Sequence, residues 1–221
     1  MQLASVLLAR ATAWIESVDL NPKGSAFYPD LAKALVARYN FLEFPRNPAD
    51  FDETKGVRFA FGKSGDAVID QVVVYAYGIL LDTRISTTES RRLLEEALRW
   101  ASKELGLVYE PSMIKRWQYA SQVTFYSDVG LATNCRAFRN LAENVKKSVR
   151  EITGEDLNHE LTGVLVDYDQ LERKHPLGRF SIQRRDNTPF SEDKYFSDAP
   201  LTTDAHLKIL EQFEADLSQK F

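Results

Sequence analysis

The sequence contains a single cysteine, Cys135, so the chain cannot form an intramolecular disulfide. This excludes a small secreted framework held by disulfides and predicts a reducing, cytoplasmic location. No run of about 18 apolar residues occurs, so we expect no segment to span a bilayer and no membrane partner. Residues 1–20 lack a basic start and a small-residue cleavage site, and we expect them to belong to the folded protein rather than to a signal peptide.

The motifs of well-known catalytic sites are also missing. The sequence has no phosphate-binding glycine loop, no dinucleotide fingerprint, no paired-histidine zinc motif and no nucleophile elbow. Its three histidines, His159, His175 and His206, are far apart in sequence, and a position in the first turn of the last predicted helix favours a surface location for His206. We therefore predict no cofactor and favour a non-catalytic protein over an enzyme.

The composition is that of an ordinary globular protein, with 44% hydrophobic and 27% charged residues in a chain of 221. The net charge of −4 is uneven, since residues 1–114 carry −2, residues 115–185 carry +3 and residues 186–221 carry −5. This is not the strongly basic balance of a nucleic-acid-binding protein. No repeat with a period of 20–50 residues and no Gly-, Ser- or Pro-rich linker is present, which predicts a single α+β domain over residues 1–221.

Hydrophobic spacing and capping residues predict the helices. Residues 3–17 have an apolar stripe at helical spacing, and a second helix is expected to begin near Pro29, so residues 1–40 form a predicted N-terminal helical segment. Ser86 and Glu89 have the spacing of a capping box, and Gly106 suits a left-handed cap at the end of that helix. Further helices are expected over residues 135–152 and from residue 202 or 203. The residues expected to face inward from the 135–152 helix are Phe138, Leu141, Ala142, Val145, Val149 and Ile152.

Alternation of apolar and polar residues predicts the strands. Residues 57–62 alternate with period two, and residues 68–81 are apolar on both faces through their middle, as expected of one central strand covered on both sides. Strands are also expected within residues 117–125, 161–167 and 179–184. The order ααββαβαββα predicts an α+β fold with a mixed, largely antiparallel sheet of about five strands and helices packed against it.

Aromatic residues in two long connections are candidates for partner binding. Residues 186–200 carry three aromatic residues among charged neighbours, an arrangement typical of interface anchors with a polar rim. Residues 39–55 hold four aromatic residues around two prolines. Such aromatics either pack on their own domain or contact a partner. The predicted partner-binding residues are Phe190, Tyr195 and Phe196, together with Trp14 of the N-terminal segment.

The 135–152 helix also carries basic residues on or near the side opposite its apolar face. Lysine and arginine at such spacing could neutralise phosphates, which makes anion or nucleic-acid binding an alternative function. Glu143 and Glu151 interrupt the basic stripe, and a solvated helix face explains it equally well. The candidate residues for this alternative are Arg136, Arg139, Lys146, Lys147 and Arg150.

Three aspartates, Asp82, Asp128 and Asp167, follow the apolar parts of predicted strands. If those strands are parallel, the carboxylates lie at one edge of the sheet, where they could hold Mg²⁺ for phosphoryl chemistry. Aspartate is also common at the ends of strands because its side chain caps turns. Since no sequence motif links the three aspartates, we assign no metal ligand. Residues 172–174 have the E-x-K form of some metal nucleases, but this form is common in charged loops.

The favoured function is a non-catalytic subunit or adaptor that acts through protein–protein contacts within a larger assembly of the bacterial or phage type. Its partner is expected to be another protein or a second copy of the chain. The absence of a catalytic motif, the aromatic connections and the slightly acidic charge support this hypothesis. The alternatives are a metal-dependent phosphoesterase or nuclease that uses the strand-end aspartates, and a nucleic-acid-binding accessory protein.

Overall fold

The computed structural model describes residues 1–24, 26–131, 135–169, 171 and 177–219. Over these residues the protein is α+β, with helices packed against largely antiparallel strands, which confirms the predicted class. The described residues form eight strands rather than about five. The strands are β1 (Gln2–Trp14), β2 (Val57–Ser64), β3 (Ala67–Tyr75), β4 (Gly78–Thr83), β5 (Arg116–Tyr126), β6 (Gly163–Val166), β7 (Phe180–Arg184) and β8 (Lys194–Ala199). The helices are α1 (Ser17–Leu20), α2 (Tyr28–Tyr39), α3 (Thr87–Glu104), α4 (Arg136–Thr153) and α5 (Thr203–Ser218).

The chain forms two compact units. The N-terminal unit comprises Val6–Ser121 and Pro200–Asp204, and the C-terminal unit comprises Met1–Ser5, Gln122–Ala199 and Ala205–Phe221. The strand order is β2-β3-β4-β1-β5 in the N-terminal unit and β1-β5-β8-β7-β6 in the C-terminal unit. Strands β1 and β5 contribute residues to both units.

The order of elements occurs twice along the chain. A long strand, a helix, three consecutive antiparallel strands and a second helix appear first as β1-α2-β2-β3-β4-α3 and again as β5-α4-β6-β7-β8-α5. The first residues of α3 and α5, Thr87 and Thr203, are 116 positions apart. A repeat of this length lies far above the periods of 20–50 residues that mark solenoids and propellers, so the sequence pattern does not reveal it.

The predicted helix over residues 3–17 is wrong, because these residues form most of β1. Ala9, Ala11 and Ala13 are fully buried while Arg10 and Thr12 between them are not, which is the period of a strand. Alanine and leucine favour helix intrinsically, but antiparallel pairing with β4 overrides that preference. The helical part of the predicted N-terminal segment is limited to α1 and α2, and α2 has the predicted proline in its first turn.

The predicted single central strand over residues 68–81 is also wrong. The run is divided by a turn at residues 76–77 into β3 and β4, which pair with each other. The backbone N–H of Ser17 donates to the carbonyl of Ala76 at 2.9 Å and holds this turn. Every residue of β4 is buried, so the expectation of a strand covered on both faces holds for β4.

Two helices cover one face of the strands in the N-terminal unit. Ala32 of α2 and Leu94 of α3 belong to one buried cluster with Val57 and Phe59 of β2. Leu35 of α2 packs against the same cluster. Burial of apolar surface between these helices and β2 therefore holds α2 in place.

The start of α3 confirms half of the predicted capping box. Ser86 Oγ accepts a hydrogen bond of 3.1 Å from the backbone N–H of Glu89. The reciprocal bond does not form, because the carboxylate of Glu89 is paired with Arg92. Gly106 has the predicted left-handed conformation just after the helix, with φ of +74°.

In the C-terminal unit, α5 covers the strands. Ile182 of β7, Tyr195 of β8 and Leu210 of α5 are all buried and line one small enclosed space. Residues 186–200 are therefore not a long loop as predicted, since β8 occupies their second half. No helix in the described part of the chain is both long and apolar enough to cross a membrane.

Candidate interaction surface

The apolar face of α4 is uncovered. The helix lies where it was predicted, but no residue of it is buried, so the expected inward packing of its apolar residues is wrong. Phe138 is 45% exposed, Leu141 57%, Val145 41% and Ile152 82%. At 100° per residue these side chains fall on one side of the helix. We refer to Phe138, Leu141, Val145, Val149 and Ile152 as the α4 apolar face.

The sequence of α4 encodes a well-defined amphipathic helix. Gly154 ends it in a left-handed conformation, with φ of +76°, and its N–H donates to the carbonyl of Arg150 at 2.9 Å. The side chain of Thr153 also donates to a carbonyl within the helix, at Val149. An apolar stripe of this kind normally faces a core, and the packing that usually stabilises such a helix is missing here.

A second uncovered apolar surface lies on β6 and β7 of the same unit. Val166 is paired opposite Phe180, and Val164 is paired opposite Ile182, so these four side chains share one face of the strands. Ile182 is buried beneath α5, whereas Val166 is 57% exposed and Val164 and Phe180 are half-buried. We refer to Val164, Val166 and Phe180 as the β6–β7 apolar face.

The position of α5 leaves this face open on one side. The ring of His206 on α5 lies edge-on to the ring of Phe180, with centroids 5.7 Å apart. Helix α5 therefore packs on the same side of the strands as the β6–β7 apolar face, beside it. Ile209 of α5 is also 43% exposed.

The N-terminal unit shows how the equivalent surfaces pack when they are covered. Helix α2 precedes β2 as α4 precedes β6, and Val57 and Phe59 of β2 are buried in the cluster that contains residues of α2. An ion pair of 3.0 Å between Arg38 of α2 and Glu96 of α3 joins the two helices that cover these strands. The described residues of α4 and β6 lack the burial seen at α2 and β2.

The predicted basic stripe lies on α4 opposite its apolar face. Lys146 forms a 3.5 Å ion pair with Asp156, just beyond the end of the helix. The other four basic residues are exposed. The stripe comprises Arg136, Arg139, Lys146, Lys147 and Arg150. These residues stay a candidate anion or nucleic-acid site.

The predicted partner-binding aromatics occupy different environments. Tyr195 is 1% exposed, and its ring stacks on that of Phe125 at 5.5 Å, so it packs inside its own unit rather than at a surface for a partner. Phe190 and Phe196 are half-buried, and the guanidinium of Arg184 lies 5.2 Å from the ring of Phe190. The sequence could not separate the three, because only the β8 pairing places Tyr195 on the inner face.

Trp14, the fourth predicted partner-binding residue, lies at the end of β1 and is half-buried. Its Nε1–H donates to Gln118 Oε1 at 3.2 Å, and the guanidinium of Arg116 lies 4.3 Å from its ring. Two side chains of β5 therefore hold the indole against the strands. The four aromatics of residues 39–55 pack on their own unit, since Tyr39, Phe41, Phe44 and Phe51 all contribute to its core cluster.

Two of the three predicted strand-end aspartates, Asp82 and Asp167, are engaged by arginines. Asp82 is 1% exposed and accepts two hydrogen bonds from Arg10, at 2.8 and 2.7 Å, and one from Gln71 at 2.8 Å. Asp167 pairs with Arg179 at 2.7 Å. Strand β4, which carries Asp82, is antiparallel to both of its neighbours, so the parallel arrangement that would gather strand ends is wrong for this residue.

Other features associated with catalysis are also accounted for by the fold. Among the described residues, no group of three or more His, Cys, Asp and Glu side chains is placed to hold a metal ion. His206 is fully buried rather than on the surface as predicted, and its Nε2 lies 2.7 Å from Ser197 Oγ. Ser197 donates to the carbonyl of Ser181 at 2.6 Å and is itself buried, so this pair cannot present a nucleophile to a substrate. Residues 172–175, which include the E-x-K triplet and His175, lie outside the described residues.

Two concave spaces of the N-terminal unit are lined mainly by apolar side chains. A cavity of 120 Å³ between α2, α3 and the strands is lined by core side chains such as Leu35, Val72 and Leu98. A more open groove of 780 Å³ along α2 is lined mainly by aromatic, proline and aliphatic side chains, including Phe27 and Phe44. Polar side chains are a minority of the lining, and in the groove they are Tyr28, Lys33 and Arg46.

Neither a protein-family model nor a curated protein matches this chain. The function is therefore inferred from the geometry of the chain itself. The feature that the fold leaves unexplained is the α4 apolar face, together with the β6–β7 apolar face of the same unit.

Proposed function

We propose that this protein is a non-catalytic subunit that acts through protein–protein contacts, with the α4 apolar face as its contact surface. The observation that carries the proposal is the exposure of four large apolar side chains on one side of a single helix. Contiguous apolar patches on a protein surface usually mark sites of association. An amphipathic helix that docks through residues spaced by three and four positions is a recurring recognition mode.

The surroundings of the helix support this role. Residues 154–162, which follow α4, have no regular secondary structure and are largely exposed. The residues in and around α4 therefore make few contacts that would oppose docking. No described cluster of titratable side chains near the helix suggests a reaction, whereas a contact surface needs only the apolar face and a polar rim.

The test compares two double variants with matched changes in charge. Leu141→Glu with Val145→Glu places two carboxylates on the apolar face, and Arg139→Gln with Lys147→Gln removes two positive charges from the opposite face. Glutamate and glutamine are both good helix formers, so α4 is preserved in each variant. The readouts are light scattering after size exclusion and capture of proteins from native lysate by the tagged chain.

We expect the wild-type protein and the Arg139/Lys147 variant to associate, with themselves or with another protein, and the Leu141/Val145 variant to lose that association. The melting temperatures should agree closely, because α4 contributes no buried residue to the isolated fold. Association that survives in the Leu141/Val145 variant, or a wild-type protein that associates with nothing, would rule out the proposal. Association lost only in the Arg139/Lys147 variant would instead favour the basic stripe and a phosphate-bearing partner.

A further inference from the structure

We infer that α4 is a lid, which closes over the β6–β7 apolar face of its own chain and thereby conceals the α4 apolar face. The structure shows the open form, in which α4 has no buried residue and Val166 of β6 is 57% exposed. The closed form is a second conformation in equilibrium with the open one. Closure is a property of this chain alone, whereas its effect on association rests on the proposed function.

The internal repeat defines the place that α4 takes in the closed form. Helix α2, which holds the same position in the repeat, packs through Leu35 against the buried cluster that contains Val57 and Phe59 of β2. Its neighbour on those strands is α3, whose counterpart in the second repeat is α5. Helix α5 already packs on its strands, with His206 against Phe180 of β7. The place beside α5, over β6, is the one that α4 takes on closing.

The surfaces that meet on closing are both apolar. Val164 and Val166 of β6 and Phe180 of β7 form one of them, and Val145 is among the residues of the other. The basic residues of α4 lie on the opposite side of the helix and stay in solvent when it closes. An apolar stripe toward the strands with charged residues outward is the usual arrangement of a surface helix that packs on its own core. The sequence of α4 therefore suits closure on its own chain.

The connection after α4 permits this movement. Residues 154–162 have no regular secondary structure, and when extended they can span roughly 30 Å. The 3.5 Å ion pair between Lys146 and Asp156 is partly exposed at both side chains, and a pair of this kind contributes little to stability. The far end is anchored, because the N–H of Arg184 in β7 donates to the carbonyl of Thr162 at 2.7 Å. Helix α4 can therefore move while β6 stays paired with β7.

Closure competes with any partner for the same residues of α4. The two apolar faces belong to one chain, so their encounter is intramolecular and does not depend on the protein concentration. Burial of both faces favours the closed form. A partner that binds the α4 apolar face binds only the open form and shifts the equilibrium toward it. The lid therefore raises the concentration of partner that association requires.

A crosslinking experiment within one chain tests closure. Cys135→Ser removes the native thiol, and because residue 135 is the N-cap of α4, where serine is favoured, the helix should be preserved. Val145→Cys and Val166→Cys are introduced together into this chain, which is treated at low protein concentration with a short bis-maleimide whose spacer contains a disulfide. The matched control has Leu165→Cys in place of Val166→Cys. Leu165 is 59% exposed and Val166 57%, but successive residues of a strand point to opposite faces, so only residue 166 lies on the face that α4 covers.

We expect the 145–166 pair to be crosslinked within monomers at least ten times faster than the 145–165 pair. Lys147→Cys with Val166→Cys tests the helix in the same way, because Lys147 lies on the opposite side of α4 from Val145, and it should also react at least ten times more slowly. All the substituted residues of α4 and β6 are exposed, so these variants should keep the melting temperature of the Cys135→Ser chain. Equal rates for the 145–166 and 145–165 pairs, or a product that joins only separate chains, would overturn closure.

The same crosslinked chain tests the effect of closure on association. We expect it to lose the association that the wild-type protein shows by light scattering and capture, and to regain it when dithiothreitol cleaves the spacer. A chain that still associates while crosslinked at residues 145 and 166 would overturn the inference that closure conceals the contact surface. A chain that crosslinks at the expected rate but associates with nothing in its wild-type form would refute the proposed function and support closure.

Discussion

Thr87 and Thr203 donate hydrogen bonds to each other. The backbone N–H of Thr87 donates to Thr203 Oγ1 at 3.0 Å, and the backbone N–H of Thr203 donates to Thr87 Oγ1 at 2.9 Å. Both residues are buried, and each is the first residue of its helix, α3 or α5. The first N–H groups of a helix have no partner within the helix, so each threonine supplies the acceptor that the other helix lacks.

We expect Thr203→Val to lower the free energy of unfolding by about 1–3 kcal/mol, because it leaves the buried N–H of Thr87 without an acceptor. Thr203→Ser keeps the hydroxyl and should recover most of the loss. Chemical denaturation measures both variants. In a double-mutant cycle with Thr87→Val, effects that simply add would show that the two bonds do not act as a pair.

The buried carboxylate of Asp82 depends on its partner Arg10. Its partner Arg10 is 33% exposed at the side chain, whereas the side chain of Asp82 is 2% exposed. Removing the arginine therefore leaves a buried anion, and Arg10→Met should destabilise the protein by about 3–5 kcal/mol. Asp82→Asn should cost less, because the guanidinium can still reach water and Gln71 keeps a partner.

The sign of the Asp82 effect also tests the metal hypothesis. A carboxylate that belongs to a vacant Mg²⁺ site is repelled by its neighbours, so its removal should raise the melting temperature. If Asp82 instead forms an ion pair with Arg10, removal of its carboxylate should lower the melting temperature. A higher melting temperature for Asp82→Asn, together with stabilisation of the wild-type protein by Mn²⁺, would revive the phosphoesterase alternative.

The environment of His206 predicts a loss of stability in mild acid. Burial lowers the pKa of His206 from its ordinary value of 6.5 to about 4. Between these two pH values the unfolded chain binds a proton that the folded chain does not. The stability is therefore complete above pH 6.5 and falls as the pH decreases toward 4, by at most about 3 kcal/mol from this group.

The measurement is the free energy of unfolding at several pH values between 4 and 7 for the wild-type protein and for His206→Asn. We expect the variant to be less stable at pH 7, because the asparagine does not fill the site, but to lose less stability on acidification. Parallel pH profiles for the two proteins would show that His206 does not titrate in this range.

The sequence predicts the fold class and most helices because their signals are local. Ser86, Pro29 and Gly106 mark helix ends through the hydrogen bonds and backbone angles of a few neighbouring residues. Strand β1 could not be recognised in the same way, since its leucines and alanines favour helix and only its pairing with β4 and β5 makes it a strand. The period-two burial of residues 9–14 is visible in the sequence as alanines that alternate with larger side chains, a signal that helix propensity obscured.

The candidate site was predictable in composition but not in packing. The apolar stripe and basic stripe of α4 follow from the spacing of residues such as Leu141, Val145 and Lys147. Periodicity states which side of a helix is apolar, but not whether that side is covered by the same chain. The exposure of Val145 and Val166 depends on where α4 lies relative to β6, which is a tertiary property.

Tyr195 and Phe196 differ in burial, so their substitutions should differ in cost. Tyr195 packs on Phe125 and under the guanidinium of Arg184, 4.8 Å from its ring, so Tyr195→Ala should destabilise the protein by about 3–5 kcal/mol. The hydroxyl of Tyr195 has no hydrogen-bond partner among the described residues, and burial raises its pKa. Tyr195→Phe should therefore change the stability by less than about 1 kcal/mol, because it removes a buried polar group that gains little from the fold.

Half-buried Phe196 should show a smaller loss of stability on substitution by alanine than Tyr195 does. Equal losses for Tyr195→Ala and Phe196→Ala in chemical denaturation would mean that β8 does not place Tyr195 alone on the inner face.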